Sequence, residues 1–203
     1  MTTEENKKNR IMEHALKSFT TTGFSRVTMD DIARGVGMGK GTVYKLFPSK
    51  EALVFKTIDF FANRIERSIE AVLSNEKLTT VEKLNLFLKT IAEKLASLNP
   101  SALENLERSM PEAFEKIEKT RQRIILTNLV RLLEDGKKSG VFEPDMDEYL
   151  VSHILIGAIQ HILETKVLTT LDYTFDRLFT SITTIIFKGC LTEEGRKLTY
   201  KNL

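Results

Sequence analysis

Apolar residues recur at helical spacing along almost the whole chain. Near the start they fall on one helix face, at Ile11, Met12, Ala15, Leu16 and Phe19. Comparable stripes run through residues 61–72, 81–95 and 114–132, and no segment shows the alternation that is typical of a strand. The pattern predicts an all-α chain.

Start and stop signals divide residues 1–50 into short helices. Gly23 is placed to end the first helix. Thr28, followed three positions later by Asp31, predicts a helix start with a capping box. A turn at residues 37–39 follows, and another short helix is expected from about residue 40 to residue 46. This order predicts a helix-turn-helix unit.

Two helices expected near residues 146–168 and 172–188 are apolar on most sides, and Gly189 is the expected stop of the second. A helix that is apolar on most sides must be buried on most sides. We expect a second copy of the chain to supply the cover, and the alternative is a pair of central helices in a monomer. The predicted dimer contacts are Leu155, Ile159, Ile162, Leu178, Ile182, Ile185 and Ile186.

The composition is typical of soluble globular proteins, with 41% hydrophobic and 29% charged residues among 203. No apolar run approaches the ~20 residues that span a bilayer, and the first ten residues lack the apolar segment of a secretory signal. We therefore expect a cytoplasmic protein without a membrane partner. The one cysteine, Cys190, excludes an intramolecular disulfide and a thiolate metal cluster, and we expect no cofactor and no metal.

Charge is distributed unevenly along the chain. Residues 1–50 contain nine Lys and Arg but five Asp and Glu, whereas the rest carries a small negative excess. A basic head on a mildly acidic body indicates that the head binds a polyanion.

The run GVGMGKGT, residues 35–42, raises the question of which phosphate it binds. A nucleotide-binding P-loop requires Ser or Thr after the Gly-Lys pair and an earlier glycine at a fixed spacing before it. Here Gly41 follows Lys40, and the position that requires the earlier glycine holds Arg34. The dinucleotide fingerprint fails as well, so the pattern disfavours nucleotide binding and favours a nucleic-acid backbone.

The second short helix has the two faces of a DNA-reading helix. Val43, Leu46 and Phe47 lie on the side that can pack on the preceding helices, and the other side is polar. A helix of this kind enters the DNA major groove by its N-terminal turn. Lys50 and the amides at the next helix start, capped by Ser49, can hold a phosphate. The predicted DNA-binding residues are Thr28, Lys40, Gly41, Thr42, Tyr44, Lys45 and Lys50.

Residues 28–53, TMDDIARGVGMGKGTVYKLFPSKEAL, resemble the DNA-binding signature of TetR-family transcriptional regulators. The resemblance is carried by Thr28, Ile32, Ala33, Gly37, Lys40, Gly41, Thr42, Tyr44, Phe47, Lys50, Glu51 and Leu53, and it extends back through Ala15, Phe19, Gly23 and Phe24. Residues 140–142 and 156–158 also resemble family members.

Two positions depart from the family pattern, since family members often have Ser or Thr at Gly39 and His or Tyr at Leu46. Glycine is an acceptable helix cap, so the fold does not depend on Gly39. Leu46 cannot hydrogen-bond a phosphate. We therefore expect Tyr44, Lys45 and the basic residues Lys7, Lys8 and Arg10 to take a larger share of the DNA contacts.

The resemblance implies an all-α homodimer that binds a double-stranded DNA operator. It implies a helix-turn-helix domain at residues 1–50 and an effector-binding and dimerisation domain at residues 51–203. The expected function is that of a repressor on a pseudo-palindromic operator, released when a small effector changes the separation of the two DNA-reading heads.

The effector pocket is expected among the middle helices, where apolar residues converge with a few polar groups. The candidates are Phe61, Phe87, Ile91, Leu106, Met110, Phe114, Ile117, Arg121, His153, Ile156 and Gln160. Each has an alternative: Arg121 pairs with Glu118 at the surface, His153 and Gln160 lie in the dimer interface, and the apolar residues form core. We expect a mainly apolar organic effector.

No catalytic motif stands out, and the three histidines are scattered. His161 and Glu164 have the spacing of a metal pair, but no second motif of this kind supports it. We therefore expect no enzyme. The remaining alternative is a helical adaptor for other proteins, or a small-molecule-binding protein without specific DNA binding. Steeply salt-dependent DNA binding would separate the regulator from that alternative.

Overall fold

The computed structural model describes residues 3–96, 99–163 and 173–200. Over these residues it contains α-helices and no strand, so the predicted all-α class is confirmed. The first five helices are α1 Thr3–Thr22, α2 Met29–Gly35, α3 Lys40–Leu46, α4 Lys50–Leu73 and α5 Thr80–Ala96. The others are α6 Pro100–Ser109, α7 Pro111–Lys138, α8 Glu148–Leu163, α9 Phe175–Cys190 and α10 Glu193–Tyr200.

The described residues form two compact units. The first contains residues 3–66 and 99–121, and the second contains residues 67–96, 122–163 and 173–200. The first unit therefore holds α1–α3 and α6, together with the beginnings of α4 and α7.

The core of the first unit is built from the apolar faces that the sequence pattern predicts. Ile11, Ala15 and Phe19 of α1 are buried, as are Ile32 of α2 and Val43 of α3. Burial of such side chains is the main favourable term in folding. It fixes α2 and α3 against α1 and thereby orients the exposed face of α3.

Helix α6 packs on α1 and on the loop that follows it. Leu106 lies in the core of the first unit with no exposed surface. Asn99 Nδ2 donates to the Thr20 carbonyl (3.0 Å), and Asn105 Oδ1 accepts from the Ser25 backbone N–H (3.0 Å). These bonds tie α6 and its N-cap to the end of α1 and to the segment between α1 and α2.

In the second unit, α8 and α9 pack on each other, and α9 also contacts α5. Leu155 and Ile159 of α8 are buried, together with Phe87 of α5 and with Phe179 and Phe187 of α9. Ile69 of α4 and Leu129 of α7 are buried in this unit as well, so apolar side chains from at least five helices fill its core.

Some helix boundaries differ from the sequence prediction. The sequence pattern does not predict α6 and α10, since both are short and α6 lies between two chain breaks. Helix α9 extends to Cys190, beyond the stop predicted at Gly189, and the Cys190 carbonyl accepts from the Glu143 N–H (3.0 Å). A long-range contact thus sets this end of the helix. Residues 164–172, which include Glu164 and the predicted end of α8, lie outside the described residues.

None of the helices within the described ranges is long and apolar enough to cross a bilayer.

Candidate nucleic-acid interface

Helix α2, the first of the predicted DNA-binding motif, begins at a capping box. Thr28 Oγ1 accepts from the Asp31 backbone N–H (3.2 Å), and Asp31 Oδ2 accepts from the Thr28 backbone N–H (3.0 Å). The Thr28 hydroxyl also donates to Asp31 Oδ2 (2.7 Å), and these bonds hold the pKa of Asp31 below its ordinary value. The predicted helix start is confirmed. The Thr28 hydroxyl proton is used within this cap, and its DNA contact stays a prediction.

The turn between α2 and α3 depends on Gly37. Its φ is +65°, in the left-handed region where a side chain is unfavourable. The Gly37 N–H donates to the Arg34 carbonyl (3.1 Å), and the Met38 N–H donates to the Ala33 carbonyl (3.0 Å). The turn thereby satisfies carbonyls at the end of α2 and directs the chain into α3.

Arg10 supports this turn from α1. Its Nη2 donates to the Val36 carbonyl (3.1 Å). Lys8 is paired with Glu4 (2.8 Å) on the same helix. The structure thus gives Arg10 a bracing contact at the turn, and the DNA contacts expected of the basic residues of α1 stay a prediction.

Helix α3 has one buried and one exposed face. Val43 has no exposed surface, and Leu46 is half-buried and packs against the core of the first unit. Lys40, Gly41 and Lys45 are exposed, and Tyr44 is 46% exposed although its side chain is large. The burial matches the two faces predicted from the sequence, except that Thr42, a predicted contact, is half-buried.

The N-terminal turn of α3 carries little bulk. Gly39 is its N-cap, without a side-chain cap bond. A methyl group on Gly39 or Gly41 would meet none of the described atoms within 4 Å. The backbone at this end of α3 therefore lies open to a ligand.

The Lys40 side chain is not isolated in this structure. Its ammonium forms a salt bridge with the Asp30 carboxylate of α2, and the two side chains are 67% and 41% exposed, respectively. Sequence reasoning missed this pair, because it assigned Asp30 only to the start of α2. The pair exists because the turn brings the start of α3 back beside the start of α2.

Lys50 lies at the start of α4, where Ser49 Oγ accepts from the Ala52 backbone N–H (3.1 Å). The cap predicted at Ser49 is confirmed. Lys50 is half-buried, and this burial lowers the pKa of its ammonium, while the neighbouring Glu51 carboxylate opposes the shift. The sequence predicts that a phosphate binds to Lys50 and to the amides at this helix start. That contact stays a prediction.

Two family models match the chain. The model of bacterial regulatory proteins of the tetR family matches residues 11–57, which include the whole helix-turn-helix. The model of the C-terminal region of YsiA-like proteins matches residues 56–189, more than half of the chain. The chain belongs to the TetR family. It is a DNA-binding transcriptional regulator, and regulators of this family bind small-molecule effectors and form dimers.

Individual relatives agree with the TetR assignment. The HTH-type transcriptional regulator YhgD of Bacillus subtilis is 31% identical over 153 residues, which are 74% of this chain and 78% of YhgD. The fatty acid metabolism regulator protein of Bacillus subtilis is 25% identical over 185 residues, 89% of this chain and 93% of that protein. The crystal structure of a TetR transcription regulator from Haloarcula marismortui has a TM-score of 0.75 at 21% identity and covers 93% of this chain and 100% of its own.

The apolar effector contacts predicted in the first unit include one core residue and several partly buried ones. Leu106 is fully buried, and Met110, Phe114 and Ile117 pack against the core that also holds α1–α3. Phe61 is half-buried. These placements match the alternative that the apolar residues form core, although they test no ligand contact.

Arg121 pairs with Glu118, as the alternative interpretation expects, but not at the surface. The two side chains are only 16% and 24% exposed. Burial lowers the pKa of the Arg121 guanidinium, and the Glu118 carboxylate opposes that shift. The pair is therefore largely removed from solvent.

The effector contacts predicted in the second unit differ in exposure. Phe87, Ile91 and Ile156 are buried, and Gln160 is half-buried. His153 is exposed, and its Nδ1 donates to the Tyr149 carbonyl (2.7 Å). His153 therefore lies at the surface of the single chain, and its effector contact stays a prediction.

A groove of about 240 Å³ in the first unit is lined mostly by polar residues. Its lining residues are Thr20, Thr21, Thr22, Gly23, Arg26, Asn99, Ser101, Ala102 and Asn105. None of the predicted effector contacts is among them. This groove differs in chemistry from the apolar pocket that the sequence predicts.

The dimer contacts predicted on α8 require a correction. Leu155 and Ile159 are 0% and 2% exposed within the single chain, so their side chains fill its own core. The outward face of α8 instead exposes Leu150 and Ile154, at 58% and 52%. Ile162 lies in α8, but its side chain is outside the described part of the structure.

The dimer contacts predicted on α9 lie nearer the surface. Ile185 is 73% exposed, and Leu178, Ile182 and Ile186 are half-buried. We call the exposed set Leu150, Ile154 and Ile185 the outer apolar face.

Proposed function

We propose that this TetR-family protein is a repressor that binds a pseudo-palindromic operator as a homodimer and leaves it when a small, mainly apolar effector binds. The observation that carries the proposal is the exposed face of α3. There Lys40, Tyr44 and Lys45 project from a helix whose opposite side is fixed in the core by Val43.

The proposed interface combines phosphate contacts with access to base edges. Lys45 and Lys50 supply positive charge, and the amides at the start of α4 add the positive end of a helix dipole. The unhindered backbone at Gly39 and Gly41 allows α3 to approach the floor of the major groove.

The outer apolar face supports the homodimer. Large apolar side chains that are exposed together mark interaction surfaces. Leu150 and Ile154 are four residues apart on α8 and share one helix face with Gly157, where a methyl group would meet no described atom within 4 Å. A second copy is the proposed cover, and its two-fold symmetry would produce the symmetry of the operator.

The proposed division of the chain assigns DNA binding to residues 1–50 and effector binding with dimerisation to residues 51–203. A mainly apolar effector is supported by the buried Phe87, Ile91 and Ile156 of the second unit, which would give a cavity beside them an apolar lining. A relative whose name refers to the regulation of fatty acid metabolism adds to this support. A fatty-acyl molecule is the first class to test.

The proposal is tested by selecting bound fragments from the source genome and titrating the best fragment with salt. We expect the logarithm of the association constant to fall linearly with the logarithm of the salt concentration. The slope should be about −0.9 for each phosphate contact on duplex DNA. The double variant Lys40→Ala, Tyr44→Ala should lose the preference for the selected fragment. The matched control Lys89→Ala, Tyr173→Ala removes the same two side-chain types from exposed positions of the second unit and should bind as the wild type does.

If no fragment is enriched and weak binding is unchanged in the double variant, specific DNA recognition by this face is refuted. That outcome would favour the small-molecule-binding or adaptor alternative instead.

The effector is tested on the protein–operator complex. Fatty acids and acyl-CoA thioesters of increasing chain length are added, and the bound fraction is followed by fluorescence anisotropy. We expect release that strengthens with chain length, because longer chains remove more apolar surface from water. Acetyl-CoA controls for the headgroup, and equal release by acetyl-CoA would contradict an apolar effector.

A further inference from the structure

We infer that Asp30 and Lys40 act as one reading unit that recognises a G·C base pair in each half-site of the operator. This inference rests on the proposed DNA-binding function and names a specificity determinant within it. The observation behind it is the salt bridge between Asp30 and Lys40, which joins the first turns of α2 and α3 on the exposed side of the helix-turn-helix.

The pair is positioned by backbone elements that are themselves well fixed. Asp30 lies in the first turn of α2, within the capping box of Thr28 and Asp31. Lys40 is the first residue of α3, directly after its N-cap Gly39. The turn at Gly37 joins the two helices, so both side chains project from anchored helix starts.

The pair is accessible at the end of α3 that meets base edges first. Both side chains are substantially exposed, at 67% for Lys40 and 41% for Asp30. Positions 39 and 41 on either side of Lys40 are glycines, and neither has a described atom within 4 Å of the place where a side chain would start. No neighbouring side chain at these two positions screens the pair from a duplex.

The donors and acceptors that the Asp30–Lys40 salt bridge leaves free match the major-groove edge of a G·C base pair. An ammonium has three donors and a carboxylate has about four acceptor sites, so one shared bond leaves two donors and several acceptors. The major-groove edge of G·C presents two acceptors, guanine N7 and O6, beside one donor, cytosine N4–H. Lys40 can therefore donate to guanine while Asp30 accepts from cytosine, and the bond between them persists.

An A·T pair fits less well. Its edge presents adenine N7 and thymine O4 as acceptors on either side of the adenine N6–H donor, so the two remaining lysine donors find no two adjacent acceptors. The thymine methyl group adds an apolar surface beside a carboxylate. The pair should therefore prefer G·C over A·T.

The pair is poorly suited to bind phosphate. Its two charges cancel, and a carboxylate near a phosphate is repelled. An exposed ion pair of this kind also contributes little to folding. Base recognition uses both members of the pair, whereas phosphate binding would use Lys40 alone.

The test uses the selected operator fragment with all four base pairs placed in turn at every half-site position, and a random duplex of equal length. Dissociation constants are measured for the wild-type dimer and for Asp30→Ala, Lys40→Ala and the double variant. We expect the wild type to prefer G·C at one half-site position by roughly 5- to 150-fold, the range for a specific base contact. Each single variant should lose this preference at that position only, and the double variant should lose no more.

Two controls separate recognition from charge and folding. Glu104→Gln removes one carboxylate from an exposed pair with Arg108 on α6, outside the helix-turn-helix, and should leave every preference unchanged. If Asp30→Ala is poorly folded by thermal melting, Asp30→Asn keeps the size of the side chain and should weaken the same preference.

Two outcomes would overturn the inference. If Asp30→Ala binds all sequences more tightly by the same factor and keeps its base preferences, Asp30 only repels phosphate and the inference fails alone. If the wild type binds no fragment better than the random duplex, the regulator proposal fails and the inference fails with it.

Discussion

Asp31 makes the stability of the α2 N-cap depend on pH. Hydrogen bonds from the Thr28 hydroxyl and backbone N–H lower the pKa of this carboxyl in the folded protein. A lowered carboxyl pKa contributes stability above the unfolded pKa, and this contribution is lost as the pH falls through the folded pKa. The cap should therefore weaken only below about pH 4, near the ordinary pKa of aspartate.

The variant Asp31→Asn should be less stable than the wild type at neutral pH, and the difference should shrink below about pH 4. Melting temperatures of both proteins between pH 7 and pH 3 measure it, with Asp145→Asn in an exposed loop as the control. A gap that is independent of pH would show that the Asp31 charge plays no part in the cap.

Ser152 is a buried hydroxyl whose Oγ has no hydrogen-bond partner among the described residues. Leaving such a group unsatisfied costs about 1–3 kcal/mol. We expect Ser152→Ala to raise the free energy of unfolding by about 1 kcal/mol, as measured by urea titration.

The comparison for Ser152 is Thr183, another buried hydroxyl of the second unit, whose Oγ1 donates to the Phe179 carbonyl (2.9 Å). Thr183→Val should lower stability, because it removes a bond that is formed. A loss of stability in Ser152→Ala would mean that this hydroxyl is satisfied in solution.

At the scale of single residues, the sequence predicts what is local. The cap joins Thr28 to Asp31 within one helical turn, and the spacing alone reveals it. The salt bridge of Asp30 and Lys40 crosses a turn, and its existence depends on how α3 folds back beside α2. The spacing of Asp30 and Lys40 in the sequence does not show that their side chains come together.

At the scale of elements, the turn between α2 and α3 separates two roles of glycine. Gly37 has a φ of +65°, whereas the backbone of Gly41 is helical. We expect Gly37→Ala to lower the free energy of unfolding by about 1–2 kcal/mol, because a Cβ is unfavourable in the left-handed region. Gly41→Ala should raise stability by up to about 1 kcal/mol, since alanine favours helices.

The same two variants separate folding from DNA binding. Gly41→Ala should weaken operator binding although it folds well, because the added methyl group lies at the open end of α3. Urea titration and anisotropy on the two proteins test both effects. Unchanged operator affinity in Gly41→Ala would show that the backbone there stays away from the DNA.

Helix α8 shows why an apolar pattern alone does not predict which helix face packs within the chain. Apolar residues surround this helix, so the sequence indicates burial on most sides without indicating which side packs in its own chain. The structure places Leu155 and Ile159 inside and exposes Leu150 and Ile154. The packing of α9 against α8 decides between these faces, and that packing is a property of the folded unit.

At the scale of the whole molecule, the outer apolar face predicts the oligomeric state. Ile154→Glu or Ile185→Glu places a carboxylate where the proposed partner would bury it, and burial of an unpaired charge is costly. We expect sedimentation equilibrium to show monomers for these variants and dimers for the wild type. Operator affinity should fall in parallel, since each half-site is then bound independently.

Leu86→Glu is the matched control for the outer apolar face. Leu86 is also a large exposed apolar residue of the second unit, at 39%, but it lies on α5. This variant should remain dimeric. A dimer that survives at both Ile154→Glu and Ile185→Glu would place the interface elsewhere.

The separation of buried and exposed positions in and directly after α3 has a consequence for evolution. Val43 and Phe47 hold the segment in place, while the side chains at 40, 44 and 45 make little contribution to the core. Under the proposed function, mutations at the outward positions change what is recognised and leave the fold nearly unaffected. After a gene duplication, two copies could acquire different target sites by a few such changes, without an intermediate that fails to fold.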